Sequence, residues 1–318
     1  SAQKGQVFFI MCGIVGFTGK RNAAPILLDG LSRLEYRGYD SAGIAVLYGG
    51  KFSVSKTTGR VKTISEKTDG GNAVLGRTGI GHTRWATHGA PSDTNAHPHL
   101  SSDGKIAIVH NGIIENYIPL RQELEAKGVK FKSETDTEIV SQLIAVYYKE
   151  QHDFPGAVRA AVSRLRGTYA FGILCSDCPD MLIAVRRSSP LIIGVGKGEN
   201  FIASDVTALV SYTRKVIYLE EGDMAVITPS KVNVYSENGE PQERPVTRIT
   251  WDIEVAEKDG YDHFMMKEMM EQPKAAELTI MSRIKNGDIV FDETDLTKER
   301  LAGFDRIVIT ACGSASYA

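Results

Sequence analysis

Apolar positions follow two different periods along this chain, and each period predicts a different kind of element. Short runs rich in β-branched and aromatic side chains predict strands, whereas apolar residues three and four positions apart predict amphipathic helices. The predicted strands cover residues 14–17, 42–47, 52–55, 79–83, 106–110, 168–175, 181–186, 191–195, 224–228 and 232–235. The pair at 42–47 and 52–55 flanks two glycines and is expected to form a hairpin.

Three helices are predicted between these runs. One begins near Pro25 and carries leucines at helical spacing. A second covers residues 137–149, where Thr135 and Glu138 have the spacing of a capping box. A third begins at Pro155 and ends before Gly167. Helices clustered between runs of strands predict an α+β fold, in which layered sheets are covered by helices.

The composition changes near residues 237–248, which are polar and contain proline, so a domain edge is expected there. The predicted main domain covers residues 12–240, and a connector with a helical Met- and Glu-rich segment at 262–281 covers residues 241–303. Residues 304–318 are expected to begin a second, truncated α/β domain, because 306–311 form a β-branched run that ends in a Gly/Ser turn.

Residues 1–11 are expected to be a leader or tag, since the chain opens with Ser1 and Met11 stands directly before Cys12. A secretory signal is the alternative. The apolar run at residues 7–11 is too short for such a signal, and bulky Met11 replaces the small residue that precedes a cleavage site.

Bulk composition limits the function classes. The 318 residues are 42% hydrophobic and 24% charged, which suffices for a buried core, and the net charge of -2 provides no basic surface for nucleic acid. A small-molecule partner is therefore expected. No apolar run is long enough to cross a membrane, and four scattered cysteines are typical of a reducing cytoplasm.

Cys12 is the residue with the most informative chemistry. Once the chain is cut after Met11, Cys12 carries a free α-amino group, and such amines have a pKa of about 7.7 to 8.0. One residue then supplies both a nucleophilic thiol and the general base that activates it. The alternative is that Cys12 is a small buried apolar residue of the first strand.

Six segments carry a family resemblance. They are 12–16 (CGIVG), 36–43 (YRGYDSAG), 81–89 (GHTRWATHG), 109–116 (VHNGIIEN), 133–138 (SETDTE) and 263–273 (HFMMKEMMEQP). Together they resemble the class II glutamine amidotransferases, which are N-terminal-nucleophile hydrolases, and within them the glucosamine-6-phosphate synthases, or glutamine:fructose-6-phosphate aminotransferases. The alternative is another class II amidotransferase, such as the phosphoribosyl-pyrophosphate type.

The resemblance implies a four-layer αββα sandwich over residues 12–240, followed by a linker and the first strand of a truncated sugar-isomerase domain. It implies an enzyme that converts fructose 6-phosphate and L-glutamine to glucosamine 6-phosphate and L-glutamate, with no cofactor or metal. For this chain alone it implies glutaminase activity, after Cys12 is exposed. Fructose 6-phosphate would bind through the missing domain, through which the full-length bacterial members also form homodimers.

Glutamine presents a carboxylate, an ammonium group and an amide, and candidate residues exist for each. Arg84 can form a bidentate pair with the carboxylate, and Asp136 can pair with the ammonium group. The resemblance places Asn111 and Gly112 in the oxyanion hole. It also places Arg37 near the nucleophile, Thr87 and His88 in the pocket, and Trp85 on a loop that closes over it.

Each of these residues also has a purely structural interpretation. Arg84 could form a surface ion pair, and Asp136 could be a helix first-turn acid. Asn111-Gly112 could be a type I′ hairpin turn.

Several remaining patterns are expected to be structural. His82, His88, His97, His99 and His110 lack the spacing of a metal site, and residues 97–99 are expected to form a polar loop. Cys175 and Cys178 predict a turn, with weak redox chemistry as the alternative. The glycines at 194, 196 and 198 predict a hairpin rather than a dinucleotide fingerprint. Ser314 and Ser316 resemble part of the sugar-isomerase phosphate-binding turn.

Overall fold

The computed structural model describes residues 12–35, 38, 40–85, 91–250, 261–281, 283–285, 287–290, 297–306 and 308. The chain divides into two compact units, residues 1–253 and 254–318. The first unit extends beyond the predicted edge at residue 240, because two short strands after that residue pair at the edges of its sheets.

The described part of the first unit contains two antiparallel sheets, and helices pack on both of them. The first sheet consists of β1 (Gly13–Thr18), β2 (Ser41–Tyr48), β3 (Lys51–Thr58), β4 (Thr78–Arg84), β9 (Ile192–Val195), β10 (Asn200–Ala203), β11 (Lys215–Tyr218) and β15 (Thr247–Arg248). Their order across the sheet is β15-β11-β9-β10-β1-β4-β2-β3. β1, the first strand of the chain, is therefore central and pairs with β4 and β10.

The second sheet consists of β5 (His99–Leu100), β6 (Ile106–Ile114), β7 (Gly167–Cys175), β8 (Leu182–Arg187), β12 (Met224–Ile227), β13 (Val232–Tyr235) and β14 (Pro241–Gln242). Their order is β14-β13-β12-β8-β7-β6-β5. The long pairing of β6 with β7 runs from Ile106 opposite Cys175 to Ile114 opposite Gly167. This pairing holds the end of β6 against β7.

Helices cover the outer faces of both sheets. They are α1 (Ala23–Ser32), α2 (Val61–Lys67), α3 (Tyr117–Ala126), α4 (Asp136–Gln151) and α5 (Phe154–Val162), with a 3₁₀ turn at Val206–Ala208. One apolar cluster joins α1 and α2 to the first sheet, and a second joins α3, α4 and α5 to the second sheet. A third cluster combines apolar residues of both sheets.

Alternation along the strands explains this division. In β4, Ile80 belongs to the cluster shared by both sheets. The glycines on either side, Gly79 and Gly81, face α1, where an added Cβ would lie 2.8 Å from a leucine methyl group. Because side chains point alternately to opposite faces of a strand, α1 can approach one face closely while the other face packs toward the second sheet.

The described part of the second unit contains α6 (Phe264–Met281), β16 (Ile284–Lys285), β17 (Asp288–Ile289) and α7 (Lys298–Ala302). The predicted helix at 262–281 is confirmed, and it contains Pro273. Most of the run predicted at 306–311 lies outside the described residues. In the parts of the chain that the structure describes, no helix combines the length and the apolar character needed to cross a membrane.

The predicted strands are confirmed, with ends that shift by a few residues, and so is the β2–β3 hairpin. The capping box was wrong. Thr135 precedes α4 but forms no side-chain cap, and the Glu138 carboxylate instead accepts hydrogen bonds from the N–H groups of Lys132 and Ser133. The carboxylate thus holds the loop before the helix rather than the helix terminus itself.

Candidate active site

Cys12 immediately precedes β1, a central strand of the first sheet, and so lies at the start of that strand. Ile14, two residues further on, belongs to the cluster shared by the two sheets. Continued alternation therefore directs Cys12 toward the second sheet, at the edge of that shared core. The interpretation of Cys12 as a fully buried residue was wrong, because its side chain is only partly buried.

The sulfur of Cys12 contacts the main chain at the end of β4. The N–H of Trp85 donates to Sγ at 3.1 Å, and the thiol lies 3.5 Å from the Trp85 carbonyl oxygen. An N–H directed at sulfur provides a favourable environment for negative charge. Trp85 is 42% exposed, although its main-chain groups contact the sulfur.

Asn111 connects Cys12 to the second sheet. It lies in β6 on the same face as Ala107 and Val109, which belong to the shared core. Its Nδ2 donates to the carbonyl oxygen of Cys12 at 2.7 Å, and its Oδ1 lies 3.0 Å from Nε2 of His82. The side-chain amide therefore lies directly beside the nucleophile residue.

Gly112 continues β6 in a conformation that requires glycine. Its φ is +133°, and a Cβ would lie 2.0 Å from the carbonyl oxygen of Thr168 on β7. Asn111 and Gly112 pair with Ala170 and Tyr169 inside the strand ladder. The interpretation of Asn-Gly as a hairpin turn was therefore wrong.

Arg84 is the last residue of β4 and points to the same face as His82 and Ile80. It is 4% exposed, so the alternative of a surface ion pair was wrong. Burial lowers the pKa of its guanidinium, while the charges of Cys12 and Asp136 raise it. A guanidinium stays protonated at neutral pH even so. It places a buried positive charge close to the nucleophile, where a carboxylate could bind.

Asp136 is the first residue of α4 and is 5% exposed. Its Oδ2 accepts a hydrogen bond from the N–H of Ile114, the last residue of β6, at 2.7 Å. The position agrees with the structural interpretation as a first-turn acid. It also leaves a buried carboxylate near Arg84, since the charge of Asp136 acts on that guanidinium.

Histidines near the site form a buried cluster. His97 and Pro98 lie in a loop as predicted, but His99 begins β5 and both histidines are buried rather than exposed to solvent. The rings of His82 and His97 stack at 4.3 Å, and the His99 ring lies 4.8 Å from that of His97. Gly43 permits this packing, because a Cβ there would lie 2.0 Å from the carbonyl oxygen of His97. Burial lowers the pKa of His82 to about 3, so its ring is neutral.

Across the described residues, no group of three or more His, Cys, Asp or Glu side chains is arranged to hold a metal ion. The predicted turn at Cys175–Cys178 and the predicted hairpin at residues 194–198 are confirmed. Cys178 N–H donates to the Cys175 carbonyl oxygen in a turn, and β9 and β10 form a hairpin around the glycines at 194–198.

The structure brings Cys12, Trp85 and Asn111 into direct contact and places Arg84 and Asp136 within electrostatic reach. Five predicted site residues lie outside the described residues: Arg37, Thr87, His88, Ser314 and Ser316.

Sequence reasoning missed three supporting residues. Thr83 and Ser204 accept hydrogen bonds from the N–H groups of Gly13 and Ile14, and His82 contacts Asn111. For His82 and Thr83 the signal was a run of polar side chains at the end of the apolar strand β4, whereas Ser204 follows β10 and had no such signal.

Comparison with known proteins agrees with this geometry. Residues 82–211 match the family model of the glutamine amidotransferase domain. The chain belongs to the class II glutamine amidotransferases, a group of N-terminal-nucleophile hydrolases with mixed α/β sheets.

Among curated proteins, the chain is similar to glutamine–fructose-6-phosphate aminotransferase (isomerizing). It is 50% identical over 309 residues to that protein from Caldanaerobacter subterraneus subsp. tengcongensis and, over the same length, to that from Clostridium acetobutylicum. These matches cover 97% of this chain and 50% of each relative. The chain therefore spans about half the length of the curated relatives that it matches.

Among solved structures, the chain is similar to glutamine phosphoribosylpyrophosphate amidotransferase from B. subtilis, in complex with ADP and GMP. The TM-score is 0.61 at 29% identity, and the match covers 71% of this chain and 49% of the other. The phosphoribosyl-pyrophosphate type, which was the alternative from the sequence, is thus more distant at 29% identity than the aminotransferase relatives at 50%.

Proposed function

We propose that this chain, once Cys12 is exposed as its N-terminal residue, hydrolyses L-glutamine to L-glutamate and ammonia, with Cys12 as the nucleophile. The observation that carries the proposal is the hydrogen bond from Nδ2 of Asn111 to the main-chain carbonyl oxygen of Cys12, at 2.7 Å. It places a polar donor of the second sheet beside the residue that carries the thiol. A hydrolase of this kind needs a donor beside the carbon that the sulfur attacks.

The reaction proceeds in two balanced steps. The α-amine of Cys12 accepts the proton of its own thiol, and the thiolate adds to the amide carbon of glutamine. The resulting oxyanion accepts hydrogen bonds from the Asn111 amide and the Gly112 N–H. Collapse breaks the C–N bond, the protonated amine returns its proton to the departing nitrogen, and ammonia leaves. Water then adds to the γ-glutamyl thioester, and glutamate and the thiol are released.

Substrate binding uses the charges around this thiol. Arg84 binds the α-carboxylate, and Asp136 accepts hydrogen bonds from the α-ammonium group. Thr87 and His88 complete the pocket, Trp85 closes over it, and Arg37 lies near the nucleophile.

The direct test combines a product assay with trapping of the nucleophile. The chain that begins at Cys12 is incubated with glutamine, and glutamate and ammonia are expected in equal amounts. A glutamine analogue with a diazoketone in place of the amide is then expected to alkylate Cys12, and excess glutamine is expected to prevent the reaction. Cys178 provides an internal control, because it is also a partly buried free cysteine. Product formation without labelling at Cys12 would refute the mechanism.

The finer architecture is also part of the proposal. The two sheets and their outer helices form a four-layer αββα sandwich, supported by separate apolar clusters on the outer and inner faces. Residues 12–240 form the glutaminase domain, to whose sheets the short strands β14 and β15 also belong. The rest of 241–303 is a connector and 304–318 is the start of a sugar-isomerase domain, with residues 1–11 as a leader.

The longer relatives support a role for this chain as half of an enzyme that transfers the nitrogen to fructose 6-phosphate. Ser314 and Ser316 belong to the phosphate-binding turn of the second half. The full-length protein is a cytoplasmic homodimer, and the chain alone retains only the glutaminase reaction.

Replacing Asn111 with alanine is expected to lower kcat for glutamine hydrolysis by about 10²- to 10³-fold, the usual cost of removing one oxyanion donor. KM is expected to change little, because the donor acts on charge that develops after binding. Steady-state ammonia release measures both constants.

Asn200→Ala is the matched control for Asn111→Ala. Asn200 is equally buried, and its Nδ2 also donates to a main-chain carbonyl at 2.7 Å, but it pairs with Thr18 at the opposite end of β1. Equal losses of kcat in the two variants would mean that Asn111 contributes only to folding.

A further inference from the structure

We propose that His82 is a positioning residue that fixes which way the Asn111 side-chain amide points. The inference rests on the proposed glutaminase function and concerns the same site. An oxyanion donor works only if the NH₂ end of the amide, and not its oxygen, lies on the side of the substrate. The amide of asparagine is nearly symmetric in shape, so packing alone selects the orientation poorly.

The hydrogen bonds around His82 impose one orientation. Nε2 of His82 lies 2.9 Å from the carbonyl oxygen of His110 and 3.0 Å from Oδ1 of Asn111. A main-chain carbonyl can only accept, so Nε2 must carry the hydrogen. The atom of Asn111 that faces it must then also be an acceptor, which is the amide oxygen.

The other end of the amide meets a matching requirement. Nδ2 of Asn111 lies 2.7 Å from the carbonyl oxygen of Cys12, another group that can only accept. If the amide were rotated by half a turn, its NH₂ would face the N–H of His82 and its oxygen would face the Cys12 carbonyl. Two favourable contacts would become two repulsive ones. One N–H of the amide is thus used at Cys12, and the second is the donor for the substrate oxygen.

The protonation state of His82 supports the same assignment. The ring is 1% exposed, and its burial keeps it neutral. A neutral ring carries one N–H. The two acceptors that face Nε2, the His110 carbonyl oxygen and Oδ1 of Asn111, place that hydrogen on Nε2. In the described residues, Nδ1 of His82 is buried and has no hydrogen-bond partner, as expected for a nitrogen without a hydrogen. Stacking against His97 holds the ring in the plane that these two bonds require.

Two substitutions of His82 test the role, because they differ in which ring nitrogen they replace. The Gln side-chain amide reaches approximately the position of Nε2 and can donate there, whereas that of Asn reaches only the position of Nδ1. His82→Gln is expected to retain most of the glutaminase activity. His82→Asn is expected to lower kcat by about 10- to 10²-fold, less than removal of the donor, with KM within about threefold.

A double-mutant cycle separates positioning from general support of the fold. In the Asn111→Ala background there is no amide to orient, so His82→Asn is expected to change kcat by less than about twofold. His82→Phe, which restores the ring volume against His97, repeats the test if His82→Asn destabilises the chain. Val109→Ala is the stability control, since Val109 lies in the core two residues before Asn111, on the same face of β6.

The assays use the chain in whichever N-terminal form shows Cys12-dependent ammonia release. Equal loss of activity in His82→Gln and His82→Asn, or an undiminished effect of His82→Asn in the Asn111→Ala background, would overturn the positioning role. Absence of Cys12-dependent activity in the unsubstituted chain would instead refute the proposed function. The two failures are therefore distinguishable.

Discussion

Replacing Cys12 with alanine is expected to lower kcat for glutamine hydrolysis by about 10⁴-fold or more, because loss of a catalytic nucleophile leaves only binding and oxyanion stabilisation. Binding of glutamine is expected to persist, since Arg84 and Asp136 remain in place. The measurements are ammonia release for kcat and isothermal titration with glutamine for binding.

Cys178→Ala is the matched control for this substitution. Cys178 is also partly buried, but burial raises the pKa of its thiol, so it is a weak nucleophile. Full activity is expected in that variant. If Cys12→Ala retained activity and Cys178→Ala lost it, the sulfur identified by the sequence would be the wrong one.

The fold was predictable where the pattern of side chains is set within a single strand or helix. The β2–β3 hairpin and the long helix α4 were found because apolar residues repeat at the correct period. Shorter elements such as β10 and α2 were missed. Four residues of strand, or seven of helix, carry too few repeats for the period to be evident, and their stability comes from neighbours distant in sequence.

Local motifs failed where tertiary contacts compete for the same groups. Asn111-Gly112 has the composition of a hairpin turn, but nine consecutive pairs with β7 keep both residues in a strand. Glu138 has the position of a capping-box acid, but the preceding loop offers N–H groups at Lys132 and Ser133 that its carboxylate reaches instead. Neither outcome depends on the local residues alone.

The site shows the same limit. Its candidate residues could be proposed from the sequence because their chemistry is distinctive, as in a thiol after Met11 or an arginine after a strand. The proposed role of His82 could not, because it depends on a main-chain carbonyl of His110 and on the ring of His97. A histidine cluster in sequence suggests a metal, whereas burial here makes the rings neutral parts of the core.

Exposing Cys12 as the N-terminal residue is expected to raise glutaminase kcat by about 10²- to 10⁴-fold relative to the chain with residues 1–11 attached, the range that a general base contributes. In the longer chain the nitrogen of Cys12 is part of an amide and has no basicity. In the shorter chain it is an amine that can accept the proton of the thiol. Mass spectrometry of the N-terminus, together with ammonia release, measures the effect.

A chain that begins at Met11 is the sharpest control, since it differs from the processed chain by one residue and leaves the rest of the sequence unchanged. The pH profile provides an independent readout. Activity of the processed chain is expected to rise with pH through the pKa of its α-amine, about 7.7 to 8.0, because only the unprotonated amine can act as a base. Equal activity in the two chains would show that another group removes the thiol proton, and the amine would then have no catalytic role.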